Sequence, residues 1–400
     1  MHLEMSKSKR ILALIAVMST SVAVMADLVL IPVIKLLYMA FPNDMEAVNY
    51  IVSGDMLIIV LASLATGALL KKMNKKTLIV IGGIIFAIGS IAGVLIEDPL
   101  YMCIMRTLVG IGAGVTNVVA VALIADLYDD DQQRAKITGY YNAALSFVGV
   151  IFSFVAGIVA ENSTWESVFS IYWVAVPMVI LLILFIPSIK PGEAEKAEAK
   201  KASGEKEKLG WRFWWMQLCW FVVNVVMCST FLYYLSSYVM ENDLGGAAFA
   251  GTAASVKSIA GFLICLIFGI IYKKFGRKVM PGCLIIAALS MVLMVLFPSQ
   301  VIAILFATIG GCAYKIAFSY AYAHGFSIVP ASRIDESVSI TTAVYGIGSF
   351  LSTYYATWLL QVMNVEVVTP TWMISAAIMV VFAVIEFIVM AKEKKEFGNE

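Results

Sequence analysis

The sequence predicts an all-α membrane protein whose twelve transmembrane helices form two pseudo-symmetric six-helix bundles. Three observations lead there. Of the 400 residues, 61% are hydrophobic and 14% charged, and mean hydropathy is +0.91. A soluble fold of this composition would hold more apolar surface than it could bury. The apolar residues also fall into twelve runs of 19 to 29 residues, and roughly 20 helical residues cross a hydrocarbon core. Finally, a ten-residue basic stretch occurs twice, as GALLKKMNKK from Gly67 to Lys76 and as GIIYKKFGRK from Gly269 to Lys278, 202 positions apart. That spacing makes the chain two similar halves.

The first six runs are 11–37, 51–70, 77–96, 100–128, 137–160 and 168–186, giving an N-terminal bundle over 1–187. The first run is long enough to span and lacks a small-residue cleavage pattern, so it reads as a helix rather than a cleaved signal. In the linker 188–210, 11 of 23 residues are charged and no apolar periodicity survives. It reads as a solvated tether, either a flexible connector or, over EAEKAEAKK, a surface helix. The runs 213–240, 247–272, 279–297, 301–329, 338–363 and 371–391 form the C-terminal bundle, 211–400, with a short tail. Trp211, Phe213, Trp214, Trp215 and Trp220 crowd the start of the seventh run, as indole rings anchoring at a membrane interface do. Substrate stacking is the alternative for them.

Lys and Arg fix the orientation. With the N-terminus in the cytoplasm, 24 of the 28 fall on the cytoplasmic side and none in the outer loops, which carry Asp44, Glu46, Glu97, Asp98, Glu161, Glu166, Glu241, Asp243 and Glu366. Under the positive-inside rule both termini are cytoplasmic, in the cell membrane. The six Cys all lie within apolar runs without paired ligand spacing, and His2 and His324 are the only histidines. Structural thiols are therefore expected, with no metal site and no cofactor. The expected surroundings are the lipid bilayer, a small-molecule substrate and protons; nucleic acid is not expected, and a monomer is.

Four basic residues remain inside the runs, namely Lys35, Arg106, Lys257 and Lys315, together with the acids Asp27 and Asp55. A charge near the middle of a spanning helix costs roughly 2.5 to 3.5 kcal/mol on insertion scales, so each needs a partner, a wet cavity or a function. Lys35 lies near the outer end of its helix, where it can snorkel. Glu386 reads the same way at the opposite end. Subtracting the 202-residue offset from Lys257 gives Asp55, so equivalent sites in the two halves carry opposite charges. These two could flank a cavity, pair across it, or form an outer gate.

The repeated loop, with Gly67, Lys71, Lys75 and Lys76 in one copy and Gly269, Gly276, Arg277 and Lys278 in the other, resembles the cytoplasmic gate loop G-x-x-x-D-R-x-G-R-K of the major facilitator superfamily. The second copy matches better. Both copies place Lys (Lys71, Lys273) where the family carries an acid that helps lock the cytoplasmic side. Another lock, or a looser one, is then implied.

The stretch Arg106-Thr-Leu-Val-Gly110-Ile-Gly112-Ala-Gly114 is no dinucleotide fingerprint, because no strand precedes it. Glycines at alternating positions thin a helix for close packing. The pattern also resembles the superfamily's helix 4 signature, which implies a proton-transfer role for Arg106. Asp27, five residues before Pro32, resembles the helix 1 acid of proton-driven exporters in that superfamily, and desolvation of such a carboxylate suits proton coupling. The Pro-containing glycine run of the exporter helix 5 is missing: Gly139, Gly149 and Gly157 occur without Pro.

Polar residues recur at helical spacing as Asn142, Ser146, Gly149 and Ser153; as Lys315, Ser319 and Tyr322; and as Thr341, Tyr345, Ser349 and Ser352. Each stripe lines a cavity or bonds a neighbouring helix. Tyr320 and His324, four apart, could form a second titratable pair. The resemblance implies a secondary transporter that works by alternating access. Asp27, Asp55 and Arg106 are its proton-coupling candidates. Lys257, Lys315, Tyr322, Asn142 and Tyr345 are its substrate candidates, and three deep bases against two acids favour an organic anion. The alternatives are a proton-driven exporter of amphipathic compounds, a membrane sensor or a lipid translocator. With no HExxH, GxSxG or P-loop, neither an enzyme nor a nucleotide-driven pump is expected.

Overall fold

The computed structural model describes residues 6–70, 72–128, 131–188, 209–329 and 333–397. Among the described residues every regular element is helical, the solution open to a chain whose backbone must satisfy its own hydrogen bonds in lipid. Most of the linker 188–210 lies outside the described residues, as does Lys71. Among the described residues ten helices are long and apolar enough to cross a membrane, and eleven if Ser8–Val24 and Ala26–Ala40 form one bent span. The sequence predicts twelve. The difference lies in Ile334–Met363, a 30-residue helix whose Thr341, Thr342, Tyr345, Ser349, Ser352 and Thr353 keep it less apolar than the other ten.

Two compact units divide the chain. The first holds Met1–Leu30 and Ala40–Glu205, the second Ile31–Met39 and Lys206–Glu400. The end of the first apolar run thus packs with the second unit. The main helices of the first unit are α1 (Lys7–Ser19), α2 (Met45–Leu69), α3 (Lys75–Ile91), α4 (Pro99–Leu127), α5 (Asp131–Asn162) and α6 (Ala175–Phe185). Those of the second are α7 (Trp211–Val223), α8 (Ala247–Leu266), α9 (Val279–Leu296), α10 (Gln300–Ser327), α11 (Ile334–Met363) and α12 (Thr371–Phe397).

In the first unit α4 packs most extensively, against α2 and α3, and its glycines explain why. A Cβ on Gly110 would stand 2.9 Å from the Asp55 carbonyl, and one on Gly114 would stand 2.7 Å from that of Ile59, both in α2. On Gly112 it would meet Phe86 N at 2.5 Å and Gly82 O at 2.6 Å, in α3. Alternating glycines therefore let two backbones approach one helix from two sides. In the second unit α9 packs against α10 and α12, and α8 against α10.

The first span breaks at Met25, between Ser8–Val24 and Ala26–Ala40. A 3-10 turn covers Ala26–Val29 and another Ile31–Val33, with a 52° bend between the two helical segments. Pro32 donates no N–H to Leu28 O four residues earlier, which accounts for the open carbonyl in the second half of this irregular stretch. Side chains take up carbonyls that the break leaves open. Tyr172 Oη donates to Ala26 O (2.8 Å) and Ser153 Oγ to Leu28 O (3.3 Å).

Candidate functional sites within each unit

The break sets Asp27, in its 3-10 turn and almost wholly buried, within electrostatic reach of Asp55 and Arg106. Arg106 Nη2 meets Asp55 Oδ2 at 2.5 Å, and both side chains are 3% exposed or less. Arg106 Nε donates to Ile51 O one turn earlier in α2 (2.8 Å), and the Tyr172 hydroxyl lies within electrostatic reach of Arg106. Asp55 Oδ1 is buried without a hydrogen-bond partner among the described residues. Two carboxylates thus share one guanidinium. With both ionised the cluster carries one surplus negative charge in a dry setting, the condition in which a buried carboxylate takes up a proton. Tyr172 escapes a reading of the sequence because a lone Tyr in an apolar run carries no periodic signal.

The second unit builds a different site. From Asn224 to Tyr233 the chain continues α7 as a π-helix; at its end the Tyr234 N–H reaches back five residues to Ser229 O (2.9 Å). Such wide turns often mark functional positions. The buried Lys257 donates its Nζ to Phe231 O there. Lys257 and Lys315 both lie within electrostatic reach of Cys228, whose Sγ contacts Tyr314 Oη at 3.2 Å and Ser349 Oγ at 3.7 Å. Tyr314 Oη donates to Asn224 Oδ1 (2.9 Å).

Beside them stands an aromatic stack. Trp220 lies parallel to Tyr314 (6.0 Å) and Tyr345 (6.4 Å), with Phe318 edge-on to Trp220 and Tyr345. Lys315 Nζ lies 6.0 Å from the Phe318 ring, and Tyr322 touches Phe318 and shares a hydrogen bond with Thr342 (3.0 Å). Four substrate candidates, Lys257, Lys315, Tyr322 and Tyr345, therefore belong to one connected group. Asn142 stands apart in the first unit, exposed on α5.

Several sequence expectations are corrected here. Trp220 is no interfacial anchor: it is fully buried, and its Nε1 donates to Thr341 O (3.3 Å). Trp211 and Trp214 are exposed, as anchors would be. Lys35 pairs with Glu241 at 3.0 Å, within the second unit, a partner the sequence does not reveal. Burial pushes the Glu241 carboxyl up and the Lys35 ammonium draws it back. Glu386 does not reach outward as a snorkelling side chain would: it is buried, with Trp215 Nε1 donating to it at 2.5 Å. The rings of Tyr320 and His324 stack at 4.9 Å, while His324 Nδ1 lies 3.3 Å from Tyr272 Oη.

The loops differ between the halves. Asn74 caps α3 by accepting the Lys76 N–H (2.9 Å). Lys75 is buried and pairs with Asp126 at the end of α4 (2.8 Å). In the second copy Gly276 adopts φ +51°, a conformation that favours glycine, and Arg277 turns into a cavity. At Gly67 and Gly269 a Cβ would find nothing within 4 Å, so packing does not require glycine there. Lys278 is exposed.

Against known proteins, the family model for the Major Facilitator Superfamily matches residues 14–353. The chain belongs to that family. It is 27% identical over 224 residues to a multidrug resistance protein, MdtL, of Vibrio parahaemolyticus, covering 54% of this chain and 56% of the relative. It is also 27% identical over 128 residues to the methylenomycin A resistance protein of Bacillus subtilis, covering 32% and 28%. These alignments span about half or less of the curated relatives. The fold is shared across almost the whole chain with a bacterial homolog of the human lysosomal transporter Spinster (TM-score 0.74, 18% identity, 96% of each chain). It is shared too with the peptide transporter POT (TM-score 0.73, 11% identity, 96% of this chain and 94% of that one). The superfamily member described here is therefore a multi-pass membrane protein.

Proposed function

We propose that the protein is a proton-coupled secondary transporter of small aromatic organic anions, working by alternating access as a monomer in the cell membrane with both termini cytoplasmic. One observation carries the substrate class: two lysines and a stack of four aromatic rings converge on Cys228 and Trp220 in the second unit. Ammonium groups attract a carboxylate or sulfonate, and parallel rings accept a planar group between or upon them. Proton coupling rests on Asp27, Asp55 and Arg106, whose surplus carboxylate can be neutralised by one proton. Cytoplasmic closure in the first unit falls to the Lys75–Asp126 pair in place of the loop acid.

A second reading, a proton-driven exporter of amphipathic compounds, is favoured by the names of the relatives, resistance proteins for multiple drugs and for methylenomycin A. Reconstituted liposomes loaded with a pH dye separate the two. Proton movement driven by aromatic carboxylates and sulfonates, lost in Lys257→Ala and Lys315→Ala, supports the anion. Proton movement driven by aromatic cations, kept in both lysine variants and lost in Asp27→Asn, replaces it with the exporter.

A further inference from the structure

Within the second unit α8 and α10 pack side by side, and their facing residues keep one register. Lys257 lies against Gly311, Gly261 lies against Lys315, and Cys265 Sγ stands 3.9 Å from Ser319 Oγ. The partners in each pair are 54 positions apart, and each step along either helix is four residues, about one turn. One step back gives Ala253 and Ala307, both fully buried. Where one helix presents a lysine the other presents a glycine, so each lysine stem lies in a notch of the facing helix.

The two notches differ. A Cβ on Gly311 would overlap the Cγ of Lys257, which is buried and donates to Phe231 O. That stem has no room to yield. A Cβ on Gly261 would stand 3.0 Å from Lys315 Cγ and 3.8 Å from its Cε, so the Lys315 stem runs across the glycine. Lys315 is exposed, and its stem has other rotamers to move into. Its Nζ lies 6.0 Å from the ring of Phe318, which meets Trp220 edge-on. The residue at position 261 therefore decides where this ammonium stands against the rings.

The first unit carries the opposite arrangement. Under the 202-residue offset Gly261 and Lys315 become Ile59 and Ala113. The larger residue then stands on α2 and the smaller on α4, where Gly114 packs on Ile59. One scaffold thus occurs with the large residue on either helix.

We propose that Gly261 is a positioning residue for substrate, seating the Lys315 stem against α8 and so setting the spacing between ammonium and aromatic stack that an aromatic anion bridges. The proposal rests on the aromatic-anion reading above. A lysine at 261 facing a glycine at 315 would hold an ammonium in the same seam from the other side. That exchange leaves charge, composition and summed helix propensity unchanged.

The test titrates naphthalenesulfonate into the purified full-length protein in detergent by calorimetry and records the thermal unfolding temperature of each variant. Lys315→Gly should weaken binding about tenfold or more, the loss of one charge-assisted contact. The exchange Gly261→Lys/Lys315→Gly should return affinity to within about threefold of the parent. Gly261→Ala, which displaces the stem without removing the charge, should weaken binding about threefold or more and leave the unfolding temperature within about 2 °C. Gly282→Ala in α9, with open space around it, should change neither quantity. If the parent binds and the exchange does no better than Lys315→Gly, or if Gly261→Ala binds as the parent does, the proposal fails and the anion reading stands. If the parent does not bind the sulfonate, the anion reading fails and this proposal falls with it. Gly261→Ala decides the matter even where the exchanged protein does not fold.

Discussion

The sharpest expectation concerns the dry ion pair of the first unit. Asp55→Asn removes the anionic partner drawn tightly to Arg106, at 2.5 Å with both side chains 3% exposed or less. Removing one member of a buried pair costs about 3–5 kcal/mol, because the other charge stays behind. Here the guanidinium keeps its Nε bond to Ile51 O and the Asp27 carboxylate stays within electrostatic reach, so the loss is that of the direct contact and the lower end, about 3 kcal/mol, applies. That is about a hundredfold in the folded-to-unfolded ratio. Asp27→Asn should behave in the opposite way. It removes the carboxylate in excess, so stability is expected to hold or rise while proton coupling is lost. The double variant Asp55→Asn/Arg106→Gln leaves Asp27 as the one ionisable side chain of the three, which a proton can neutralise, and should recover more than half of the loss. Equilibrium unfolding of the purified variants in mixed micelles measures all three. Asp55→Asn within about 1 kcal/mol of the parent, or a double variant as unstable as the sum of the singles, would refute the assignment of Asp55 as the direct partner on which Arg106 depends.

Other expectations follow from contacts elsewhere. Gly112→Ala would drive a methyl into Phe86 N and Gly82 O and should lower the thermal unfolding temperature markedly. Gly269→Ala, with open space around it, should be neutral or raise stability by up to about 1 kcal/mol. Asp126→Ile, which copies the second half into the first, leaves the buried Lys75 without its acid and should destabilise by about 3 kcal/mol; substituting Lys75→Met in the same chain should restore most of it. Trp220→Phe removes the N–H bond to Thr341 O and part of the stack, and a titration of substrate against proton flux should show a raised half-saturation concentration with little change in the maximum. A lowered maximum at unchanged half-saturation would remove Trp220 from the substrate site.

Much of the architecture is legible in the sequence because it follows from long-range composition: twelve apolar runs, the loop at half-chain spacing and the glycines from Gly110 to Gly114. That Asp27, Asp55 and Arg106 come together in one cluster follows from the cost of burying charge. Pairings across sequence are not legible. Lys35 and Glu241 lie 206 positions apart, Trp215 and Glu386 171 apart; their residue types at helix ends read equally well as snorkelling. Trp220 sits within a cluster of interfacial indoles, and only the packing of α10 and α11 shows that its ring points inward. For a related reason α11 is less apolar than its run suggests, since its hydroxyls satisfy themselves locally. Ser352 Oγ donates to Ser349 O at 2.5 Å and Thr342 Oγ1 to Val338 O at 2.9 Å, so a helix can carry many of them and still pack.

The repeat also explains why the two units hold different chemistry in one scaffold. Under the 202-residue offset Asp27, Asp55 and Arg106 become Ser229, Lys257 and Thr308, while Gly112 becomes Tyr314. Three charges reduce to one. Without the acids, Lys257 turns instead to a backbone carbonyl of the π-helical stretch, which the wide turn leaves open to a side-chain donor. Where α4 carries Gly112 against the α3 backbone, α10 carries Tyr314, whose ring stacks on Trp220 of α7. A self-neutralising cluster suits proton exchange, because it can cycle without a ligand. A buried ammonium held by a carbonyl beside stacked rings suits a ligand that brings its own negative charge. Reinstating the acid by Thr308→Asp should therefore neutralise Lys257 internally and abolish binding of an aromatic anion without unfolding the second unit. If binding persists in that variant, the ammonium is not what the anion meets.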